Sequence, residues 1–343
     1  MRMMGTIRDI RTEVERLLLN KSILITGATG FIGRNVLDRL VQTRSFIAGK
    51  LDIYLVCRNP SLENYREFSQ DHIHLVKWDI NESLETSIDG IDYVMHLASE
   101  NNLIDSPNKS SRIVRTSVLG TQNVIEASIA LNASRFLLAS SGAVYPQTQY
   151  QNSPMTESQF DPSVNYELEN PYTFGKRQAE KICLAAESTN DINVVIARLF
   201  TFVGPHLVLD GHYAIGNFLS DCMSGKPVTI LSSGDTVRSY QYTEDTATWL
   251  LTILLKGESR TAYNVGSDHA ITIHELALTV AEICGSDQGV ILSPQVSVDS
   301  KPRFYVPNIG LAMDQLCLTN TVSLESAIAR TFEHLRQIHE MRK

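Results

Sequence analysis

From residue 22 onward, short β-branched runs alternate with longer stretches of helical periodicity. SILIT (22–26), LDIYLVC (51–57), HIHLVKW (72–78), DYVMHLA (92–98), RFLLASS (135–141) and INVVIAR (192–198) predict strands, and 31–44, 109–131 and 171–188 predict helices between them. Repeated βαβ units of this kind imply an α/β fold. We expect a doubly wound, parallel, Rossmann-type sheet with right-handed crossovers and ligands at the carboxyl ends of its strands. After Arg198 the pattern changes. Gly204-Pro205, Gly211, Gly216 and Gly225 break the chain, and turn residues cluster from Ser232 to Thr236. Helical periodicity returns at 243–256, 272–284 and 322–340, with a strand-like AYNVG at 262–266. The expected organisation is an N-terminal amphipathic helix (1–20), a dinucleotide-binding domain (21–199), and a smaller α+β, mainly substrate-binding region (200–343) from which 238–266 returns to the first domain. Ile7, Ile10, Val14, Leu17 and Leu18 form the apolar stripe of the first helix. Packing on its own domain is the favoured reading of that stripe, and a subunit contact is the other.

Composition narrows the class. With 343 residues, 43% of them apolar, the chain can bury one large core and a smaller one. Its net charge of -8 gives no basic footprint, so nucleic acid is not expected as a partner, and a small anion has to be held by a few placed cations. Five cysteines at irregular spacing, without a CxxC pair, fit neither a disulfide framework nor a zinc site. They read as buried thiols of a reducing cytoplasm, and no metal is expected. The first twenty residues lack the apolar run of a signal peptide, and no stretch approaches the roughly 18 apolar residues of a membrane span. A cytoplasmic protein with no membrane partner is the expectation.

The strand 22–26 runs straight into Gly27-Ala28-Thr29-Gly30-Phe31-Ile32-Gly33 and then a helix. Glycines at these places let the backbone turn sharply and approach a pyrophosphate, whose charge is met by free N–H groups and the helix dipole. A structural tight turn is the alternative, but the strand before and the helix after are the context that dinucleotide binding requires. At the end of the second strand, where an acidic residue would accept the ribose hydroxyls of NAD, stands Arg58. A guanidinium there can pair with a 2′-phosphate, which tilts a choice between NAD and NADP slightly toward NADP; a solvated loop arginine is the other reading. Asp79, just past the third strand, is placed to bind the adenine amino group or to make a turn.

Tyr172 and Lys176 stand four residues apart, hence on one face of a helix. A neighbouring ammonium favours the phenolate and can bring a phenol into range for proton transfer. Ser141 ends the strand 135–141 and can hydrogen-bond the same substrate oxygen. Serine, tyrosine and lysine converging on one alcohol or ketone beside a nicotinamide would perform hydride-transfer chemistry.

Taken together, GATGFIG, Asp79-Ile80, His96-Leu97-Ala98, Ser140 to Tyr145, Tyr172 to Lys176 and Arg198-Leu199-Phe200 resemble the NAD-dependent epimerase/dehydratase family, the extended short-chain dehydrogenases. The resemblance runs from residue 21 to about 335. It implies NAD or NADP as cofactor, held by Gly27, Thr29, Gly30, Phe31, Ile32, Gly33, Arg58, Asp79, Ile80, Leu97, Ala98, Tyr172 and Lys176. It implies Tyr172 as general acid/base, Lys176 as its electrostatic partner and ribose ligand, and Ser141, rather than Ser140, as the hydroxyl that orients substrate. The stretch Ser232 to Tyr240 is similar to a family segment whose arginine grips the diphosphate of a nucleotide sugar, which assigns that task to Arg238. Thr201, His212 and Asn217 are further candidate substrate contacts; for His212 a second acid, a phosphate contact and a turn residue are the readings, the turn being the favoured one. Asp245 corresponds to an Asp for which helix capping is as good a reading as catalysis.

Departures matter as much. Related 4,6-dehydratases carry an Asp-Glu pair where this chain has Gly142-Ala143, which disfavours dehydration. Family asparagines are replaced by Ser117 and Thr201. The expected function is NAD(P)-dependent hydride transfer at C4 of a nucleoside-diphosphate sugar, as a 4-epimerase or a 4-ketoreductase. A 4,6-dehydratase is the alternative reaction, and a catalytically silent NAD(P) sensor or scaffold the alternative from another class. The resemblance also implies a homodimer, through helices that could include 109–131 and 171–188.

Overall fold

In a computed structural model, the structure describes residues 7–46, 49–58, 72–85, 88–100, 109–146, 153–160, 170–209, 213–293 and 303–341. The chain begins with α1 (Ile7–Leu18), β1 (Lys21–Thr26), α2 (Phe31–Phe46), β2 (Leu51–Cys57), β3 (Ile73–Lys77) and β4 (Tyr93–His96). It continues through α3 (Lys109–Arg115), a π-helical turn (Thr116–Gly120), α4 (Thr121–Ala130), β5 (Arg135–Ser141), α5 (Pro171–Glu187) and β6 (Asn193–Leu199). The predicted helix over 109–131 is thus interrupted by one π turn, of a kind frequent at functional sites.

The C-terminal part comprises β7 (Phe202–Val203), α6 (Ala214–Met223), β8 (Val228–Ile230), β9 (Val237–Arg238), β10 (Gln241–Tyr242), α7 (Thr243–Lys256) and β11 (Thr261–Val265). It ends with β12 (Ile271–Thr272), α8 (Ile273–Cys284), β13 (Val290–Leu292), β14 (Phe304–Tyr305), α9 (Gly310–Leu316) and α10 (Leu324–Met341).

Among the described residues, seven strands form one parallel sheet in the order β11-β6-β5-β4-β1-β2-β3. The order reverses between β1 and β4, the switch point at which such sheets bind ligands. Strand alternation sorts the side chains onto two faces. Ile23, Ile25, Ile53, Leu55, Leu137 and Val195 pack with residues of α1, α2, α7 and α9 on one face. Leu24, Phe136, Leu138, Val194 and Ile196 pack with residues of α4 and α5 on the other.

Within α1, Val14 and Leu18 are buried in the main core. The Tyr93 hydroxyl donates to the Leu17 carbonyl, and Lys256 pairs with Glu13 at 2.5 Å. The C-terminal half of the apolar stripe therefore faces its own fold. The segment Ile309 to Leu318 also returns to the main core, although the sequence pattern leaves it in the substrate-facing region. A second core gathers Val203, Phe218, Leu219, Val228, Leu276, Val280 and Ile328. Its strands are two or three residues long and pair pieces distant in sequence: β12-β9-β14, β13-β8 and β10-β7.

Asp245, buried in α7, accepts the Thr321 and Val322 N–H groups and the Thr321 hydroxyl, at 2.6 to 3.2 Å. It ties α7 to the turn before α10 and does not cap α7, whose N-cap is Tyr242. All five cysteines are free thiols. Cys57 and Cys183 are buried and Cys222 and Cys284 half-buried, but Cys317 is exposed, against the expectation, because it occupies the left-handed C-cap of α9. Among the described residues, no helix is long and apolar enough to cross a membrane.

Candidate active site

The glycine turn packs backbone on backbone. Gly27 adopts φ +74°, and a Cβ there would lie 2.6 Å from the Ala98 nitrogen; a Cβ on Gly33 would lie 2.2 Å from the Gly27 carbonyl oxygen. Only glycine fits either place. The result is a cradle whose middle, Thr29 and Gly30, is exposed, with Phe31, Ile32 and the start of α2 beside it. Leu97 and Ala98 are fixed against it by hydrogen bonds from their N–H groups to the Thr26 carbonyl and hydroxyl, at 3.1 and 3.3 Å. Backbone N–H groups and the N-terminus of α2 are the features of this shape that suit a pyrophosphate.

The residues expected at the adenosine end fall on the neighbouring strand ends. Arg58 follows β2 and is exposed. Asp79 follows β3, where the Asn81 backbone and side-chain amides donate to it at 3.0 Å; these bonds, backbone first, hold its carboxyl below the usual range, with Arg58 and Arg115 adding to the effect. The turn reading of Asp79 is realised. Ile80 is buried behind it.

At the end of β5 the two adjacent serines have different partners. Ser140 points into the protein and donates to Glu180 at 2.5 Å. Ser141 shares hydrogen bonds with the phenols of Tyr172 and Tyr305, and accepts from the Ala143 N–H at 3.2 Å. Tyr172 opens α5, whose N-cap Asn170 accepts its N–H at 2.9 Å and whose Pro171 pre-sets the first turn. Burial pushes the Tyr172 phenol above its ordinary value, opposed by hydrogen bonds from Ser141 and Ser99.

Lys176 is buried one turn on, with Nζ 5.9 Å from the Tyr172 ring centre and donating to the Ala139 carbonyl at 2.7 Å. Burial pulls its ammonium down to about 8, against the opposing charge of Glu180. Burial and the serine hydroxyls thus act on the phenol in opposite directions, with the Lys176 ammonium one helical turn away.

Arg238 on β9 is half-buried and stacks its guanidinium 4.8 Å from the centre of the Tyr305 ring. The parallel register Tyr305↔Arg238 makes this contact. Tyr305 thus joins the proposed phosphate cation to the catalytic-type serine, and its neighbour Phe200 lies 4.7 Å from it, centre to centre. A Cβ on Gly142 would sit 2.6 Å from the Tyr305 hydroxyl and 2.7 Å from the Phe200 ring, so these two rings occupy the space an acidic side chain would need at that position.

Other expected contacts are less direct. The Thr201 hydroxyl donates to the Ser239 carbonyl, a structural use. Asn217 is half-buried in the first turn of α6, its N–H donating to the Tyr213 carbonyl. His212 lies outside the described residues. Tyr305 and Ser99 escape sequence reasoning: a phenol in an irregular C-terminal stretch and a serine past a strand end have no local signature.

The sequence profile of the NAD-dependent epimerase/dehydratase family matches residues 23–266. The chain belongs to that family. Within this NAD-dependent epimerase/dehydratase family it is 28% identical over 317 residues to UDP-glucuronic acid decarboxylase 6 of Arabidopsis thaliana, covering 92% of this chain and 89% of that protein. Its fold is that of UDP-glucose 4-epimerase of Thermotoga maritima (22% identity, TM-score 0.78, 93% and 99% coverage). It is also that of dTDP-glucose 4,6-dehydratase of Streptomyces venezuelae, solved with NAD (21% identity, TM-score 0.80, 93% and 98% coverage).

Proposed function

We propose that this family member exchanges a hydride at C4 of a nucleoside-diphosphate sugar, as a 4-epimerase or a 4-ketoreductase, and works as a cytoplasmic homodimer. The observation that carries the reading is one hydroxyl, Ser141, bonded to the Tyr172 phenol one helical turn from the Lys176 ammonium, at the sheet end that carries the glycine cradle.

Gly27 to Gly33 would hold the cofactor pyrophosphate, Arg58 and Asp79 its adenosine end, and Ile80, Leu97 and Ala98 the wall beside it. Arg58 tilts the choice toward NADP. Bound nicotinamide supplies the hydride acceptor or donor. Tyr172 takes the proton from the C4 hydroxyl in oxidation and returns it in reduction, while Ser141 orients that oxygen and Lys176 supplies positive charge and a ribose contact. Arg238 grips the diphosphate, with Asn217 and His212 as further contacts to the substrate.

The test is turnover of UDP- and dTDP-hexoses and their 4-keto forms, by wild type and Tyr172→Phe. The variant is expected to lose on the order of a hundredfold or more in kcat while still binding cofactor. Turnover equal to wild type would sink the proposal and leave a sensor or scaffold. Nicotinamide that survives desalting identifies the epimerase, and freely exchanging nicotinamide the reductase.

A second reading is favoured by one observation. A C4 ketone makes a C6 carboxyl a β-keto acid, which loses carbon dioxide without a separate acid for a leaving group, and positions 142 and 143 carry none. The similarity to UDP-glucuronic acid decarboxylases points the same way. Release of carbon dioxide from UDP-glucuronate separates this reading from the first.

A further inference from the structure

Directly behind Ser141 and Lys176 lies a buried polar network that the proposed reaction does not use. Glu180 stands one turn after Lys176 on α5, only 1% exposed, and its carboxylate accepts from Arg198 Nε at 3.0 Å and Arg198 Nη2 at 2.8 Å. The oxygen that takes Nε also accepts the Ser140 hydroxyl at 2.5 Å. Arg198, 3% exposed, donates Nη1 to the Tyr145 hydroxyl at 3.1 Å, which donates to Asn264 Oδ1 at 2.6 Å. Asn264 in turn donates to the Met155 and Asn308 carbonyls, at 2.8 and 3.0 Å. The network therefore joins α5, β5, β6 and β11 to the segment that leads from Tyr305.

A buried ion pair is a weak source of stability, since apolar side chains of the same volume often do as well. What the geometry supplies is placement. Ser140 and Ser141 point to opposite sides of β5, so the bond that pins Ser140 to α5 also sets where Ser141 meets Tyr172 on that same helix. The groups facing the Lys176 ammonium are the Ala139 carbonyl on β5, Tyr172, Glu180 and Cys183 on α5, and His96 on β4. Among these, Glu180 is the one in an ion pair.

We propose that Glu180, clamped by Arg198, is the positioning residue of the reaction centre: it locks the Ser140-Ser141 strand end to α5 and sets its carboxylate one helical turn from Lys176. This rests on the reading of Ser141, Tyr172 and Lys176 as the reacting group. Glu180 touches neither substrate nor cofactor and acts through its two neighbours.

The test compares wild type, Glu180→Gln and Glu180→Asp. Loss of the charge in Glu180→Gln is expected to lower kcat by about tenfold or more with KM within about threefold. The alkaline fall of kcat should begin at lower pH, by roughly one unit, because the ammonium loses its opposing charge. Glu180→Asp should return the alkaline limb toward wild type. A uniform fall in kcat with an unmoved pH profile would overturn the proposal and leave a purely structural pair.

If Glu180→Gln does not fold, the double variant Glu180→Gln/Arg198→Met removes the pair together; the two lost charges act on Lys176 in opposite directions, so it tests the strand-end lock through kcat, and a kcat equal to wild type there overturns the proposal. The titration of Lys176, read by NMR of carbon-13-labelled lysine side chains, needs no turnover. An unchanged profile there sinks this proposal alone, whereas full activity of Tyr172→Phe sinks the reaction-centre reading.

Discussion

The sheet and the C-terminal lobe hold the two halves of the site by opposite means. In the sheet, each site residue sits at the end of a strand or the start of a helix, within a motif of a few neighbouring residues: Gly27 to Gly33, Ser141, Tyr172 and Lys176. In the C-terminal lobe, Arg238 is set by pairing with Ile271 on one side and Tyr305 on the other, residues 33 and 67 positions further on. Local chemistry fixes the first half and chain closure fixes the second. Loop closure is the slower and costlier kind of ordering, so the half that holds Arg238 depends on the whole lobe being assembled.

The sharpest way to break this contrast is Gly33→Ala. The new Cβ would lie 2.2 Å from the Gly27 carbonyl oxygen, and backbone, unlike a flexible side chain, cannot move aside. Cofactor binding, followed by titration of intrinsic fluorescence, is expected to disappear, with a large drop in Tm. Retained binding would show that the turn is not fixed by its local sequence.

Next in size are the variants of the second half. Arg238→Met keeps much of the side-chain volume and removes the charge. It is expected to raise KM for the nucleotide sugar by about tenfold or more, with a smaller effect on kcat. Tyr305→Phe keeps the ring under Arg238 and removes the hydroxyl on Ser141, so we expect kcat to fall by roughly three- to tenfold with KM little changed. Steady-state kinetics on both variants separates gripping from orienting. If Tyr305→Phe moved KM and not kcat, the link to Ser141 would be without consequence.

This contrast also explains what could be read without coordinates. The βαβ alternation and the cofactor turn are written in residues that touch their sequence neighbours, and the strands at 51–57 and 135–141 lie where periodicity puts them. The short strands β7 to β10 and β12 to β14 span two or three residues, too few for any period to show. Helix α6 was hidden by the glycine breaks around it. Ser141 and Tyr172 were legible as types at a spacing, but their hydrogen bond to each other was not, nor was Tyr305, which arrives through a parallel pairing to β9. The Glu180–Arg198 pair was hidden for the same reason: each residue lies in a plain helix or strand pattern, and only the packing of α5 on β6 joins them.

The smallest effect concerns a buried imidazole that local pattern alone cannot classify. His96 ends β4, beside the cofactor turn, with Nδ1 2.6 Å from the Thr26 hydroxyl and Nε2 3.2 Å from the Thr121 hydroxyl. Burial depresses it from 6.5 to about 3, with the Lys176 charge adding to the shift. The unfolded chain takes up a proton as pH falls through 6.5 and the folded chain does not until about 3, so the contribution of His96 to stability is full above 6.5 and is lost progressively between those values. In His96→Asn, which keeps an amide to bond the two threonines, the fall of Tm between pH 6.5 and 4.5 should be shallower than in wild type, the difference in stability changing by about 1 to 2 kcal/mol over that window. Catalysis near neutral pH should change far less than in the Tyr172 and Arg238 variants. An unchanged acid slope would mean that other groups set the acid stability of the sheet, and a large loss of kcat would move His96 from its structural place into the reaction centre.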